Sequence, residues 1–583
     1  MQYNILNTGL FMEINSSNGD HDIELEAVCG EDHIIEITAN FPNENLRECS
    51  FEWSVPLNKI ACRFFPSLEM NRSIPPDWAS PVWFEYTDFM PLMALPDHEN
   101  RNQLTIVARE LTGRIGIKAG VCEENASVKC GVYIEFVPSP EEKKRKVSLR
   151  LDFRNIFWAD AVRSAALWMR ENAEKTPIPA SALEPVYSTW YSFHQNLSAP
   201  LIEAECEEAV KYGMKNLFVD DGWQTADNMR GYGFCGDWEI QKKRFSDFPA
   251  HVAAIHKLGM KYVIWCGLSL MGANAESYPL FKDKTLCFKE SWNCYILDPR
   301  FPEVREFLCR RLTELAEISG INGYKIDFVD SFALPEPVLD GSGGRDCAAL
   351  CTGVARLLSE LTDRCRRLKP DFLIEFRQKY IGPEMRKYAP IMRAADCPGD
   401  FLSNRIRTLE MRLYCPETAV HSDMIMWDMN ASAETAALQI LNVLFSVPQI
   451  SVKLHEIPQA HRAMLRFWLD FCREHRELLT QGKLHPVHPE SNYPIVYAED
   501  ENTVVAAVYD SGYIVPLPEK NNYYIINGTG SEQKFVIRSE TGISGSSLDV
   551  SGIFREKCEL KAGSSEIPIP GSGLFSGVRI SAK

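Results

Sequence analysis

Between residues 187 and 452 the chain alternates short apolar segments with amphipathic helical segments, and this pattern restricts the possible folds more than any other feature. The clearest helical segment, residues 302–318, keeps apolar residues at helical spacing behind a proline in its first turn. Eight β segments in such an alternation predict a (β/α)8 TIM barrel rather than an open sheet. The predicted strands are residues 187–193, 216–220, 261–268, 323–328, 372–376, 391–395, 418–421 and 449–452.

Segments rich in short strands flank the predicted barrel on both sides. Residues 1–175 contain several stretches that alternate polar and apolar residues, and these predict an N-terminal β-sandwich followed by a linker helix at residues 160–171. Residues 486–583 return to short strands and turns, which predict a C-terminal antiparallel β-sandwich. We therefore expect a multidomain chain with its barrel at residues 176–485.

The net charge of the chain is −17 at pH 7, and its pI is about 5.3. Nucleic acids and anionic membranes bind basic surfaces, so we expect neither as a partner. No apolar run approaches the roughly 20 residues of a membrane span, and residues 1–4 lack the pattern of a signal peptide. The 18 cysteines are scattered without a Cys-x-x-Cys pair, which indicates reduced thiols in a cytoplasmic protein.

Strand four of the predicted barrel has Lys325 and Asp327 on the same face, because side chains alternate along a strand. A cation and a carboxylate at the end of a buried strand are costly to bury without a purpose. Taken alone, the pair favours a structural ion pair that caps the strand. The residues at the other strand ends favour a functional site instead.

Carboxylates and tryptophans meet at the carboxyl end of the predicted barrel, where barrel enzymes place their chemistry. Asp220, Asp221 and Trp223 follow strand two, although an isolated Asp-Asp-Gly sequence is usually a solvated turn. Trp190 on strand one and Trp265 near the end of strand three add flat apolar surfaces at the same rim. Carboxylates that bind hydroxyls, next to indoles that cover the apolar face of a sugar, predict a carbohydrate site.

Two carboxylates on separate strand ends have the arrangement that glycoside hydrolysis requires. Asp327 ends strand four, and Asp396 follows strand six. One carboxylate attacks or stabilises the anomeric carbon while the other protonates the leaving oxygen. Arg377 and Gln378 at the end of strand five, and Arg393 just before Asp396, are further candidates for substrate contacts at this rim.

Together these motifs resemble glycoside hydrolase family 36, the α-galactosidase family, and more distantly its clan relatives in families 27 and 31. Residues 218–223 (Phe-Val-Asp-Asp-Gly-Trp) are similar to the strand-two signature of the family. Residues 297–305 and 324–327 are similar to its strand-four region, and residues 421–423 and 478–482 to its C-terminal part. The resemblance extends over most of the chain and implies the same three-part architecture.

The resemblance implies a retaining exo-α-glycosidase, most closely an α-galactosidase, that hydrolyses terminal α-linked sugars through a covalent glycosyl-enzyme. It makes Asp327 the nucleophile and Asp396 the general acid/base, with no metal ion and no other cofactor. It also implies an oligosaccharide or glycoside substrate and a possible homo-oligomer. The residues expected to bind substrate are Trp190, Asp220, Asp221, Trp223, Trp265, Lys325, Arg377, Gln378 and Arg393.

The two catalytic roles predict opposite protonation states. Asp327 must be ionised, and the ammonium of Lys325 favours that form. Asp396 must begin protonated and later act as a base, so we expect the site to raise its pKa. Arg393 would oppose this rise if it faced the same carboxylate.

Three segments differ from the family pattern where the sugar would bind. The loop after strand five, residues 376–380, reads Phe-Arg-Gln-Lys-Tyr instead of a Cys- and Gly-rich sequence. Trp292 stands where an arginine is expected, and residues 393–395 read Arg-Ala-Ala instead of Trp-Thr-Ser. The sequence therefore leaves the sugar open among a galactoside, an N-acetylgalactosaminide, an arabinopyranoside and a glucoside.

Two other functions remain consistent with the sequence. A metal-dependent barrel hydrolase could use His194, His421, Asp423 and His455 as ligands, although no His-x-His or His-x-x-x-His motif occurs at a strand end. A carbohydrate-binding protein without activity is the second alternative, because fold alone does not establish activity. The presence of both candidate carboxylates favours an enzyme over this alternative.

Overall fold

The computed structural model describes residues 2–5, 10–17, 23–30, 33–41, 46–109, 113–137, 145–171, 173–333 and 343–580. A closed barrel of eight strands lies in the middle of the chain, and β-sheets lie on both sides of it in sequence. The predicted fold class is therefore confirmed. Within the described residues, no helix combines the length and the apolar character that crossing a membrane requires.

Two antiparallel sheets share one apolar core in the N-terminal part. Alternate residues of each strand point into this core, as Phe51, Trp53 and Val55 do in the strand Glu48–Pro56. The first sheet has the strand order Gln2–Ile5, Leu10–Ser16, Glu48–Pro56, Ser127–Glu135, Arg114–Cys122 and Val82–Phe84. The second has the order Glu24–Cys29, Ile34–Phe41, Arg145–Asp152, Asn102–Arg109 and Leu92–Pro96.

The helix Trp158–Met169 connects the N-terminal sheets to the rest of the molecule. Its buried face packs on the second sheet and on the barrel helix Phe401–Tyr414. Trp158 Nε1 also donates a hydrogen bond of 3.1 Å to the carbonyl of Pro486, in a strand of the C-terminal sheet. This helix therefore contacts all three parts of the chain. The domain boundaries after residues 175 and 485 stay predictions.

All eight predicted strands form the barrel, and every neighbouring pair is parallel. The first predicted strand was too long, because the chain leaves the barrel after Ser188 and residues 190–193 form a short helix. The seventh was too short, so residues 421–423 lie inside the strand. We number the strands β1 (Val186–Ser188), β2 (Asn216–Val219), β3 (Lys261–Gly267), β4 (Gly323–Asp327), β5 (Leu373–Arg377), β6 (Ile391–Arg393), β7 (Ala419–Ile425) and β8 (Val447–Ile450).

Helices follow most of the barrel strands, and several begin at a capping side chain. Asp247, Asp400 and Ser432 each accept a hydrogen bond from the backbone amide three residues later, as expected of N-cap residues. After β5 the chain forms only the single 3-10 turn Met385–Lys387. The longer helices are Ala199–Ala209, Phe248–Lys257, Pro302–Ser319, Leu350–Leu368, Phe401–Tyr414, Ala433–Leu441, Gln459–Glu474 and Arg476–Gln481.

The barrel interior is apolar at its amino-terminal end and charged towards its carboxyl end. The apolar layer contains Ala182, Val186, Phe218, Val263, Leu373, Ile391, Ala419 and Val447. Beyond it lie the buried side chains of Lys325, Glu375, Arg393, His421 and Gln449. Charged groups of this kind need partners when they are buried, so the interior contains an extended ion-pair and hydrogen-bond network.

Two further β structures complete the fold. After β3 the chain forms a small antiparallel sheet with the strand order Leu270–Gly272, Cys294–Leu297 and Thr285–Lys289. The C-terminal part has a seven-stranded and a three-stranded sheet, each with one parallel pair among antiparallel ones. The larger has the order Lys483–Val487, Ile495–Glu499, Thr503–Val508, Asn522–Asn527, Leu574–Arg579, Ile543–Leu548 and Phe554–Leu560, and the smaller Val515–Pro516, Gln533–Ser539 and Gly563–Ile569.

Candidate active site

Asp327 ends β4, and its two carboxylate oxygens have different surroundings. Oδ1 accepts hydrogen bonds from Arg377 Nε at 2.7 Å, from the Phe328 amide at 2.9 Å and from the Tyr380 hydroxyl at 3.3 Å. Oδ2 accepts one longer bond, 3.2 Å, from Trp265 Nε1. The carboxylate is therefore fixed through Oδ1, while Oδ2 keeps most of its capacity for a further interaction.

The charge on Asp327 is stabilised by several cations. Burial acts to raise its pKa, but Arg377, Lys325 and Arg393 outweigh burial and hold the pKa well below its ordinary value. Asp327 is therefore ionised throughout the neutral range, as its predicted role requires. Lys325 lowers the pKa of Asp327 only through the longer-range effect of its charge.

The direct partner of Lys325 is Asp220, at the end of β2, one strand beyond the neighbouring β3. Lys325 Nζ donates to Asp220 Oδ2, and both side chains are at most 5% exposed. The Asp220 amide donates in turn to Thr189 Oγ1 at 3.0 Å, which ties the end of β2 to the end of β1. The structural ion pair considered for Lys325 and Asp327 is therefore not the one that forms: Lys325 pairs with Asp220 and joins β4 to β2.

Asp221 is buried in the loop that follows β2. Gln224 Nε2 donates to its Oδ1 at 2.6 Å, and Gln195 Nε2 donates to its Oδ2 at 2.7 Å. Burial raises the pKa of Asp221 to about 6, although these amide donors oppose the shift. Gly222 allows the close packing of this loop, because its φ is 117° and a Cβ there would lie 2.6 Å from the Cα of Gln195.

An aromatic cluster lies beside Asp327. The Trp265 ring is stacked at 6.1 Å from Tyr232, and Phe328 and Trp292 pack 5.0 Å apart at the same place. Trp223 lies behind this surface, fully buried, and donates from Nε1 to the carbonyl of Trp265 at 2.9 Å. Trp223 therefore supports Trp265 rather than facing the opening of the barrel.

Trp190 lies on the short helix Trp190–Phe193, one turn beyond β1. It is partly exposed, and its ring packs edge-on against His194 at 4.7 Å. The next residue, Tyr191, donates from its hydroxyl to Asp423 Oδ2 at 2.9 Å. This segment therefore reaches over the barrel towards β7.

Asp396 lies in the loop after β6, and its side chain is 52% exposed. Arg393 Nη1 donates to its Oδ1 at 2.9 Å, so the arginine does face this carboxylate. Burial and the charge of Asp327 act to raise the pKa of Asp396, but Arg393, with Lys325 and Arg377, lowers it below its ordinary value. The expectation of a raised pKa for Asp396 is therefore wrong for the resting protein, because Arg393 stabilises the anion.

Gln378 does not reach the opening of the barrel. It is fully buried, donates from Nε2 to the Tyr414 hydroxyl at 2.8 Å and accepts from the Ala395 amide at 3.1 Å. Its contacts therefore anchor the loop that carries Asp396. Arg377, the preceding residue, points to the opposite side of β5 and remains 18% exposed beside Asp327.

Arg393 is the centre of the buried charge network. Its Nη1 also donates to Asp423 Oδ1 at 2.7 Å, and its Nε lies 3.4 Å from Glu375 Oε1. His421 and Gln449 complete the network below, where His421 Nε2 is 2.7 Å from the Ala182 carbonyl. Among the described residues, no group of three or more His, Cys, Asp or Glu side chains is arranged to hold a metal ion.

Sequence reasoning did not select Tyr232, Phe328 or Tyr380, which pack around Asp327. It also did not select Asp330, whose Oδ1 lies 3.7 Å from Arg377 Nη2. Phe328 directly follows the candidate nucleophile and Asp330 comes three residues after it, so the sequence alone places both of them near Asp327. Tyr232 comes from a long loop with no comparable signal.

Comparisons with known proteins agree with this architecture. The Melibiase family model matches residues 169–376. The chain is 22% identical to alpha-galactosidase Mel36A of Lactobacillus acidophilus over 261 residues, which cover 41% of this chain and 34% of that protein. It is 23% identical over 194 residues to the bifunctional alpha-galactosidase/sucrose kinase AgaSK of Mediterraneibacter gnavus, covering 32% of this chain and 20% of that protein. The matched part thus spans about a third or less of these curated relatives.

Solved structures of similar fold cover nearly the whole chain. An alpha-galactosidase from Lactobacillus brevis has a TM-score of 0.67 at 13% identity and covers 99% of this chain and 80% of its own. A family 36 alpha-galactosidase, AgaA, from Geobacillus stearothermophilus in complex with stachyose has a TM-score of 0.66 at 12% identity, covering 98% and 82%. The predicted resemblance to family 36 α-galactosidases is confirmed.

Proposed function

We propose that this α-galactosidase-like chain is a retaining exo-α-glycosidase that uses Asp327 as nucleophile and Asp396 as general acid/base. The observation that carries the proposal is the asymmetry of Asp327, an ionised carboxylate held through Oδ1 with Oδ2 nearly unoccupied. A nucleophile needs this combination of fixed orientation and one reactive oxygen. The similarity to α-galactosidases supports the same reaction class.

In the first step, Asp327 Oδ2 attacks the anomeric carbon and the glycosidic C–O bond breaks. Asp396 gives its proton to the leaving oxygen, which departs as an alcohol. Because Arg393 favours the Asp396 anion, Asp396 has to take up a proton before this step. Arg377 and Tyr380 keep Oδ1 in place while the charge on Oδ2 is consumed in the new bond.

In the second step, Asp396 acts as a base. Its carboxylate takes a proton from a water molecule, the water oxygen attacks the anomeric carbon, and the bond to Asp327 breaks. Two inversions at this carbon release the sugar in its original α configuration. Asp327 is thereby returned as an anion, and Asp396 is returned in its protonated form.

We further propose terminal α-galactosides as the first substrates to examine. Relatives in the same fold class have been solved in complex with raffinose and with stachyose. A different α-glycoside is the second candidate. The loop at residues 376–380 departs from the family pattern, and it brings the Arg377 guanidinium beside Asp327 at the opening of the barrel, where the sugar would bind. Trp265, Trp190 and Asp220 are the proposed sugar contacts common to both candidates.

The proposal is tested with aryl α-glycosides of galactose, N-acetylgalactosamine, arabinopyranose and glucose, together with raffinose and stachyose. Wild type is expected to hydrolyse at least one of them, and Asp327→Asn to lose nearly all turnover while its melting curve is retained. Proton NMR of the first-formed product should show the α anomer. A β anomer would exclude Asp327 as nucleophile, and sugar binding without turnover would favour a carbohydrate-binding protein.

We also propose a cytoplasmic location and a homo-oligomeric assembly. All 18 cysteines have free thiols, which fits a reducing compartment. The assembly rests on the resemblance to family 36, and light scattering after size-exclusion chromatography tests it. A monomeric mass at micromolar concentration would contradict the assembly.

A further inference from the structure

Two carboxylates of the candidate site share one nitrogen of Arg393. Nη1 donates to Asp396 Oδ1 at 2.9 Å and to Asp423 Oδ1 at 2.7 Å. Carboxylates bound to the same nitrogen are close neighbours, so they repel each other when both are charged. Each of them therefore controls how much of the arginine's charge is available to the other.

The two carboxylates differ in exposure and in their remaining contacts. Asp396 is 52% exposed at the opening of the barrel, whereas Asp423 is fully buried. Asp423 Oδ2 accepts from the Tyr191 hydroxyl at 2.9 Å and from the Cys397 amide at 2.6 Å. Only Asp396 can meet a substrate, so Asp423 must act through another residue.

We propose that Asp423 is a positioning residue for the acid/base: it competes with Asp396 for Arg393 and thereby keeps Asp396 able to carry the proton that the leaving group receives. This inference rests on the proposed function and deepens it. Asp423 forms no bond with substrate. The proton that Asp396 transfers in the first step is recovered from the attacking water in the second.

Charge balance around Arg393 supports this competition. Glu375 Oε1 lies 3.4 Å from Arg393 Nε, so three carboxylates face one guanidinium and cannot all be neutralised by it. Burial raises the pKa of Asp423 to about 6, with Arg393 opposing the rise and Asp396 adding to it. Asp396 and Asp423 therefore interact through Arg393, and the protonation of one affects the protonation of the other.

Other charged and titratable groups face the pair from the neighbouring elements. Tyr191 comes from the helix after β1, and the Cys397 thiol follows Asp396 in its own loop. Asp327, Lys325 and Arg377 act on Asp396 from β4 and β5. None of these charged or titratable side chains bridges the two carboxylates as Arg393 does. The Cys397 amide also ties Asp423 to the loop of Asp396, but it is neutral, so the charge of Asp423 acts through Arg393.

Replacing Asp423 with asparagine removes its charge and nearly preserves its shape. Arg393 would then be shared only by Asp396 and Glu375, so the pKa of Asp396 would fall and less of the acid would be protonated at neutral pH. The alkaline limb of the kcat/KM profile should therefore move to lower pH. General acid catalysis contributes about 10²- to 10⁴-fold in all, and this sets the upper limit of the loss in kcat/KM for poor leaving groups at neutral pH. Dinitrophenyl glycosides, which need little protonation to leave, should lose much less.

A loop-anchoring role for Asp423 predicts a different result. The matched control is Tyr414→Phe, which removes a partner of Gln378 and loosens the same loop without changing any charge near Asp396. Equal losses for good and poor leaving groups are expected from this control. If Asp423→Asn behaves in the same way, or if Tyr414→Phe reproduces the leaving-group dependence, the inference is overturned.

Two further measurements test the inference if Asp423→Asn is poorly folded or if no glycoside is hydrolysed. Tyr191→Phe removes one donor from Asp423 and should shift the alkaline limb in the same direction by a smaller amount. The pH dependence of carbodiimide labelling at Asp396, read by mass spectrometry, needs no turnover, and its midpoint should move to lower pH in Asp423→Asn. If wild type is inactive on every glycoside but the labelling midpoint still moves in Asp423→Asn, only the proposed function is contradicted. An unchanged midpoint would contradict the competition.

Discussion

Arg377 binds only one oxygen of the Asp327 carboxylate, Nε to Oδ1 at 2.7 Å, although the two residues end neighbouring strands of the barrel. The other end of the guanidinium is turned towards Asp330, with Nη2 at 3.7 Å from Oδ1. Nη1 also donates to the Gln378 carbonyl at 3.2 Å, so both terminal nitrogens of Arg377 have contacts away from Asp327 Oδ2. This arrangement stabilises the anion without blocking the oxygen that is proposed to attack.

Arg377→Met should slow the first step and change its pH dependence. Removing the cation raises the pKa of Asp327, which must be ionised to react, so the acid limb of kcat/KM moves to higher pH. A hydrogen bond to a charged group contributes about 1.5–3 kcal/mol, so kcat/KM should fall roughly 10- to 150-fold. Arg114→Met, which removes a surface arginine paired with Glu85, is the control. An acid limb that stays in place would contradict the role of Arg377.

Gln378→Met should affect the acid/base loop and leave sugar preference unchanged. The substitution leaves the Ala395 amide and the Tyr414 hydroxyl without their buried partner, at a cost of about 1–3 kcal/mol each. We expect a lower melting temperature and a lower kcat, with the ranking of glycosides by kcat/KM as in wild type. A changed ranking would instead restore Gln378 to the sugar-binding residues predicted from the sequence.

The strand pattern was predictable because parallel barrel strands are buried on both faces and therefore appear as short apolar runs. The same pattern located Asp220, Asp327 and Asp396 at strand ends. Two strand ends were predicted wrongly. The first strand ends before Trp190, and the seventh continues through residues 421–423. Local composition does not fix such boundaries, since the hydrogen bonds of the neighbouring strand decide them.

The pairing of charges inside the barrel was not predictable from one strand at a time. Lys325 is two residues from Asp327 but binds Asp220, because inward side chains from alternate strands of a closed barrel lie in the same layer, and only β3 separates β2 from β4. Gln378 and Arg377 are adjacent yet serve different sides of β5. Trp223, expected at the sugar, is fully buried and binds the carbonyl of Trp265. Each outcome depends on which strand lies opposite, and this information is absent from the local sequence.

Gly222→Ala should disrupt the loop that holds Asp221. Gly222 has φ 117°, and an added Cβ would lie 2.6 Å from the backbone of Gln195, the residue that binds Asp221. Both the strained conformation and the contact are expected to lower stability, by more than the roughly 1 kcal/mol of an αL alanine alone. Gly259→Ala is the matched control, because φ is 79° there and no atom lies within 4 Å of the added Cβ. Equal melting temperatures in the two variants would show that the contact with Gln195 is relieved at little cost.

Asp298→Asn should destabilise the fold in a pH-dependent way. Asp298 is fully buried and binds Arg300 through both oxygens, and Arg345 Nε donates to it at 2.9 Å. Burial acts to raise the pKa of Asp298, but the two arginines lower it below its ordinary value. Removing one partner of such a buried pair costs about 3–5 kcal/mol, because the arginines lose their counter-charge.

The sign of the pH effect follows from the lowered pKa. The folded protein holds Asp298 ionised where the unfolded chain, with a pKa of about 3.9, would already take up a proton. The stabilisation is therefore complete above about pH 5 and is lost as the pH falls through the lower, folded-state pKa. Thermal unfolding of wild type and Asp298→Asn should differ by a constant amount from pH 5 to 8 and converge below pH 4. Asp346→Asn, whose carboxylate pairs with Arg305 while 37% exposed, should cost at most about 1 kcal/mol. A gap between wild type and Asp298→Asn that persisted unchanged into acid would mean that packing, and not the ionised carboxylate, holds this turn.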